Sequence, residues 1–121
     1  MAKNANSDTG PHHRWASGLL FDNVEVQGND IRVQNRRNSG SGHGWSGVSC
    51  MFWNCKAETI TIQDPPGDHT NWAIGCIGNH TNKVCCGAEK EPLGFVESQN
   101  IHLHPKSLYE KQLKDRLNLS K

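Results

Sequence analysis

The chain has no excess of either charge, no long apolar run and few apolar residues altogether, and each shortage excludes something. Thirteen Lys and Arg stand against twelve Asp and Glu, a formal charge of +1. Overall charge therefore draws the protein neither to nucleic acid nor to an anionic membrane, and neither is an expected partner. No stretch approaches the apolar length of a membrane span, and residues 1–7 lack the apolar core of a signal peptide, so the chain reads as soluble and without an export signal. Apolar residues make up 34% of the 121 and Gly numbers 12. That composition disfavours a helix bundle and suits many short strands joined by tight turns in one domain.

Two kinds of catalytic apparatus are also missing. Glycoside hydrolysis needs two carboxyl groups facing across a scissile bond, and Asp22, Asp30, Asp64 and Asp68 show no paired arrangement. They form no calcium-binding cluster either. The five cysteines, Cys50, Cys55, Cys76, Cys85 and Cys86, are an odd number, so at least one is free or pairs outside the chain. Their spacing contains no C-x-x-C pair, and the adjacent Cys85 and Cys86 are poorly placed to share one ion, even with His80 nearby. No metal and no cofactor is expected, and Cys50, Cys55 and Cys76 read as small buried thiols.

What the chain does have is a recurring tryptophan. Trp15, Trp45 and Trp72 each open a Trp-small motif, with steps of about 30 and about 27 residues, as in an imperfect repeat. Between the first two lies the glycine-rich stretch of residues 40–47, which lacks the Lys-Ser/Thr of a phosphate loop and reads as a connection that lets His43 approach the tryptophans. Residues 19–26 and 31–34 read as two strands around a Gly28-Asn29-Asp30 turn, and residues 48–55 and 59–63 repeat the plan. A third copy starts at Trp72, with its second strand near residues 95–98 or 101–103. Ser107, with Glu110 three residues later, is a capping-box pattern ahead of Tyr109, Leu113 and Leu117 at helical spacing.

These features predict an all-β fold: a short right-handed parallel β-helix of about three turns with a C-terminal capping α-helix. A flexible lead-in would occupy residues 1–10, the repeats residues 11–104, and an amphipathic helix and tail residues 105–121. Asn23, Asn54 and Asn79 would stack at one corner. Leu20, Val24, Val26, Ile31, Val33, Met51, Ile60, Ile62, Ile74 and Ile77 would fill the interior, and the helix would cover an open end of the stack. The alternative is a small antiparallel β-sandwich or jelly roll.

Residues 10–18 (Gly-Pro-His-His-Arg-Trp-Ala-Ser-Gly), residues 40–45, Phe52-Trp53-Asn54-Cys55, residues 71–76 and Ser107-Leu108-Tyr109 together resemble the C-terminal part of pectate-lyase-like parallel β-helix proteins of bacteria that degrade polysaccharides. The resemblance spans roughly residues 10–118. It implies an extracellular, carbohydrate-linked role along a groove.

The residues suggest chemistry of their own. Aromatic faces bind the C–H surfaces of sugars, so His12, Trp15, Trp45, Asn71 and Trp72 are the candidate ligand-binding residues, although buried tryptophans that merely fix packing would give the same pattern. Lyase chemistry on a uronate needs a base and a cation to neutralise the adjacent carboxylate; His13 and His43 could supply the first and Arg14 the second. The expected function is binding of a polysaccharide or oligosaccharide, extending to lyase-like processing, on a Trp/His/Arg strip. The rival is a structural module that stacks on another chain, including a second copy, through its N-terminal turn.

Overall fold

The computed structural model describes residues 3, 9–37, 40–82 and 91–119. Nine strands form three parallel sheets, and one helix follows them. The first sheet pairs β1 (Ala16–Ser17) with β4 (Gly47–Val48). The second, of order β2-β5-β7-β9, joins Leu20–Asp22, Met51–Trp53, Trp72–Ile74 and Phe95–Glu97. The third joins β3 (Ile31–Val33), β6 (Lys56–Ile62) and β8 (Ile77–Thr81). The helix, α1, spans Leu108–Leu119.

This corrects the expected right-handed parallel β-helix of about three turns. The chain is a small, mostly β domain of α/β type, and its three sheets do not close into a coil. The physical reason is visible in the connection from β6 to β7. It carries Pro65 and Pro66, which have no N–H to donate to a ladder, and it adds no third strand to β1-β4. The strands pair parallel, so the antiparallel sandwich is excluded as well.

Three-residue strands explain which side chains enter the core. Alternation along a strand puts the middle residue on one face and both ends on the other. Phe21, Phe52, Ala73 and Val96 share a register and form the inner ladder of the four-stranded sheet. Phe21 and Phe52 meet edge to face at 5.2 Å. Leu20, Met51 and Ile74, expected inside, stand at strand ends and are partly or largely exposed, whereas Val26, Ile31, Val33, Ile60 and Ile62 are buried as expected. Cys50, Cys55 and Cys76 are buried free thiols that complete the core. The Cys55 thiol donates to the Phe21 carbonyl at 3.1 Å and the Cys76 thiol to that of Phe52 at 3.3 Å. Cys85 and Cys86 lie outside the described residues, as does most of the expected lead-in.

Each strand of the second sheet ends in a left-handed residue: Asn23 (φ 58°), Asn54 (φ 49°), Gly75 (φ 67°) and Ser98 (φ 54°). Asparagine tolerates that conformation. Asn79 does not join them; it sits in β8 opposite Thr59. Gly75 takes the third place because a Cβ there would lie 2.4 Å from the Asn54 amide oxygen. Asn54 uses that amide to hold the segment before the helix, donating to Leu103 and Lys106 carbonyls at 2.7 and 3.0 Å and accepting from Leu103 N at 2.8 Å.

The helix begins where its sequence predicts. The Ser107 hydroxyl accepts from Glu110 N at 3.0 Å. Its apolar stripe finds no cover among the described residues, since Tyr109, Leu113 and Leu117 stay exposed. The expectation that it would close the stack is corrected too. Its N-terminus docks on β2 through Asp22 instead.

A candidate histidine cluster beside two tryptophans

Two loops meet at the start of the β1-β4 sheet. The first, residues 11–15, is seated by Pro11 against Gly47, where a Cβ would lie 3.1 Å from the proline ring, 3.0 Å from the Cys50 sulfur and 2.9 Å from Val33. Only glycine leaves that space. Backbone bonds from Trp15 N to the Trp45 carbonyl (2.9 Å) and from Ala16 N to that of Ser46 (3.1 Å) fix its far end. The second comprises residues 36–37 and 40–44 and is closed by Arg36 N to Gly44 O (2.6 Å) and Gly44 N to Arg37 O (2.9 Å). The buried Ser46 hydroxyl, bonded to both the N–H and the carbonyl of Gln34, ties it to the end of β3.

These loops bring His12, His13 and His43 into mutual contact. Their ring centroids are 5.2 Å (His12–His13), 4.6 Å (His12–His43) and 4.5 Å (His13–His43) apart, the last pair stacked at 19°. His12 and His13 are exposed and His43 is half-buried. Gly40 lies under His43: a Cβ there would be 2.6 Å from its Cε1 and Nε2. Arg14 reaches across the gap to donate to the Gly42 and Ser41 carbonyls at 3.3 and 3.5 Å. Arg36 donates through Nη1 to the His12 carbonyl at 3.0 Å and to His12 Nδ1 at 2.6 Å.

The cluster is electropositive. Desolvation, and after it the charges of His13, His12, Arg36 and Arg14, hold the His43 pKa below the ordinary histidine value. The charges that lower the value are all those of basic side chains. A neutral imidazole can accept a proton or a Lewis acid, and an anionic group placed here would meet favourable charges.

Trp15 and Trp45, which follow the two histidine-bearing stretches, lie next to each other with centroids 6.3 Å apart and planes tilted by 33°. They divide the labour: Trp45 is 8% exposed and Trp15 48%. Trp72 does not extend the pair. It takes the register of Met51 and Leu20 in the neighbouring sheet. Asn71 is fully buried, and its amide accepts from Cys50 N at 2.8 Å and donates to Gln63 and Gly47 carbonyls at 2.9 and 3.1 Å. That amide is spent on backbone groups of neighbouring segments. Of the eight residues singled out in the sequence, six converge here and two do not.

A cleft elsewhere lay beyond sequence reasoning. A cleft of about 540 Å³ is lined by Asn23, Glu25, Asn54, Lys56, His102, Leu103 and Lys106. Sheet pairing and the return of residues 102–106 across strand ends bring these residues together, and no local motif marks them. The cleft holds opposed charges, Glu25 with Lys56 and Lys106, whereas the histidine cluster is flanked by Arg14 and Arg36. Comparison with known proteins adds nothing to this geometry: no family model, no curated protein and no solved structure matches the chain.

Proposed function

We propose that the protein binds a polysaccharide or oligosaccharide on the surface formed by Trp15, Arg14 and the three histidines. The observation that carries this reading is the Trp15 indole. Trp15 is 48% exposed, its ring centroid lies 6.3 Å from that of Trp45, and its backbone N–H donates to the Trp45 carbonyl at 2.9 Å. An open aromatic face on an anchored backbone stacks on the C–H surface of a sugar, and adjacent donors take the hydroxyls. Arg14 and the imidazoles supply those donors. Processing would extend the same reading: His13 or His43 as base, with a nearby guanidinium to offset charge that develops on a uronate carboxylate.

A glycan array covering acidic and neutral polysaccharides tests the proposal. Binding that is lost in Trp15→Ala, with the melting temperature retained, supports it. Absence of any binder, or binding unchanged in Trp15→Ala, refutes it.

One observation favours the assembly reading as a second function. The outer strands β2 and β9 of the four-stranded sheet lie at opposite edges, and Leu19, Leu20, Leu93 and Phe95 beside them are exposed. Unpaired edges with apolar neighbours can join head to tail with a second copy. Sedimentation across a concentration series separates the two: a monomer at all concentrations excludes self-assembly and leaves the saccharide reading standing.

A further inference from the structure

We infer that His12, His13 and His43 form a binding site for a divalent transition-metal ion of the zinc class. The inference stands on geometry and is independent of the saccharide reading. Each histidine offers one ring nitrogen, and the three nitrogens lie within 4.8 Å of one another. Zinc binds imidazole at about 2.0–2.1 Å, so nitrogens on a tetrahedral ion are about 3.4 Å apart. Closing the present triangle therefore takes side-chain rotations on the order of 1 Å at the nitrogens. His12 and His13 are exposed, which leaves room for them.

The scaffold around the triangle is fixed where it needs to be. The two histidine-bearing loops are tied to each other by Arg14 on the Gly42 carbonyl and Arg36 on the His12 carbonyl. Gly40 packs under the His43 ring, and His43 Nδ1 is enclosed without a hydrogen-bond partner. An imidazole nitrogen held in that state is costly unless something takes its lone pair or its proton. Arg36 sets the metal-free state. Its Nη1 covers the lone pair of His12 Nδ1 at 2.6 Å, so an ion using that nitrogen displaces the guanidinium. The ligand set is three imidazole nitrogens, which suits zinc, copper and nickel better than calcium or magnesium. Three protein ligands leave a fourth position for water or an anionic oxygen, and the neighbouring arginines favour the anion.

The test is calorimetric titration of zinc chloride into untagged, chelator-stripped protein, with cobalt(II) absorption as the coordination readout. A Cys85→Ser/Cys86→Ser background removes thiol ligands outside this cluster. One ion per chain is expected, with a cobalt spectrum of four-coordinate intensity. His13→Gln and His43→Gln should each weaken binding by about 100-fold or more, as loss of one of three ligands requires. Arg36→Gln should tighten it by freeing His12. Both histidines sit outside the core, so unchanged melting of the stripped variants shows that folding is retained. The inference is overturned if no ion binds, or if His13→Gln and His43→Gln bind as well as the parent.

Discussion

Replacement of Asp22 by alanine should detach the C-terminal helix while leaving the sheets intact. The carboxylate stands at the end of β2 and accepts four hydrogen bonds. They come from the Ser107 hydroxyl at 2.6 Å, Asn23 Nδ2 at 2.8 Å, Tyr109 N at 3.0 Å and Leu108 N at 3.3 Å. Two of these satisfy backbone N–H groups in the first helical turn, and a negative charge there also complements the helix dipole. A capping side chain contributes about 1 kcal/mol and a hydrogen bond to a charged group about 1.5–3 kcal/mol. A helix of twelve residues is marginal alone. Asp22→Ala should thus cost the docked helix about 2 kcal/mol, enough to release most of it. Hydrogen exchange reads this directly: amides of α1 should lose protection while those of β5 and β6 keep theirs. Unchanged helix protection would refute the reasoning. The pH dependence follows from the same bonds. Burial opposes ionisation of Asp22, but the bonds from Ser107, Tyr109, Leu108 and Asn23 outweigh it and hold the carboxyl below its ordinary value. A depressed carboxylate stabilises the fold above its unfolded-state pKa, and that contribution is lost as pH falls through the folded-state pKa. Helix docking should therefore persist through mild acid and fail only below the ordinary carboxylate range. In Asp22→Asn that step should be absent.

Three further outcomes can be checked. Phe52 is fully buried in the inner ladder, and Phe52→Ala should cost about 3–5 kcal/mol in urea unfolding; a loss under about 1 kcal/mol would mean the ladder is not the core. Burial lowers the His80 pKa against a smaller opposing effect of its bond to the Gly78 carbonyl, so the unfolded chain takes up that proton first. Stability should accordingly drop as pH falls from the ordinary histidine value toward the lower folded one, and His80→Gln should flatten that segment in unfolding measured on either side. The bond shared with Cys76, and then burial, push the Cys55 thiol far up, and burial does the same for Cys50. In a Cys85→Ser/Cys86→Ser protein, a thiol reagent should label nothing in the native state and three groups after unfolding; rapid native labelling would contradict the buried stack.

Much of this arrangement was legible locally, and the misreadings share one cause. The strand of residues 31–33 and the later part of β6, residues 59–62, announced themselves by alternation, whereas residues 56–58 read as a turn and instead open β6; Ser107 with Glu110 marked the helix start, because these signals act within a few residues. Convergence of His12, His13 and His43 could be anticipated from the two Trp-flanked loops, since Trp15 and Trp45 do lie side by side. Trp72 misled because it resembles them in its own neighbours, whereas register is decided by pairing: the connection with Pro65 and Pro66 omits the short strand that precedes β2 and β5, and Trp72 enters the next sheet directly. That slip also displaced Asn79 from the row completed by Gly75 and Ser98. Asp22 as a helix anchor and the cleft around Asn54 and His102 join residues far apart in sequence, and no local pattern encodes them.

The parallel pairing has a consequence for how the chain reaches this state. Partners within the four-stranded sheet, Leu20 with Met51, Met51 with Trp72 and Trp72 with Phe95, lie about twenty to thirty residues apart in sequence, and no hairpin shortens the distance. No pair of neighbouring strands can form early and alone, so each loop must close before any contact rewards it. Folding should be slow for a chain of this length, and during that delay Phe52, Ile60 and three unshielded thiols are open to the solvent and to other chains.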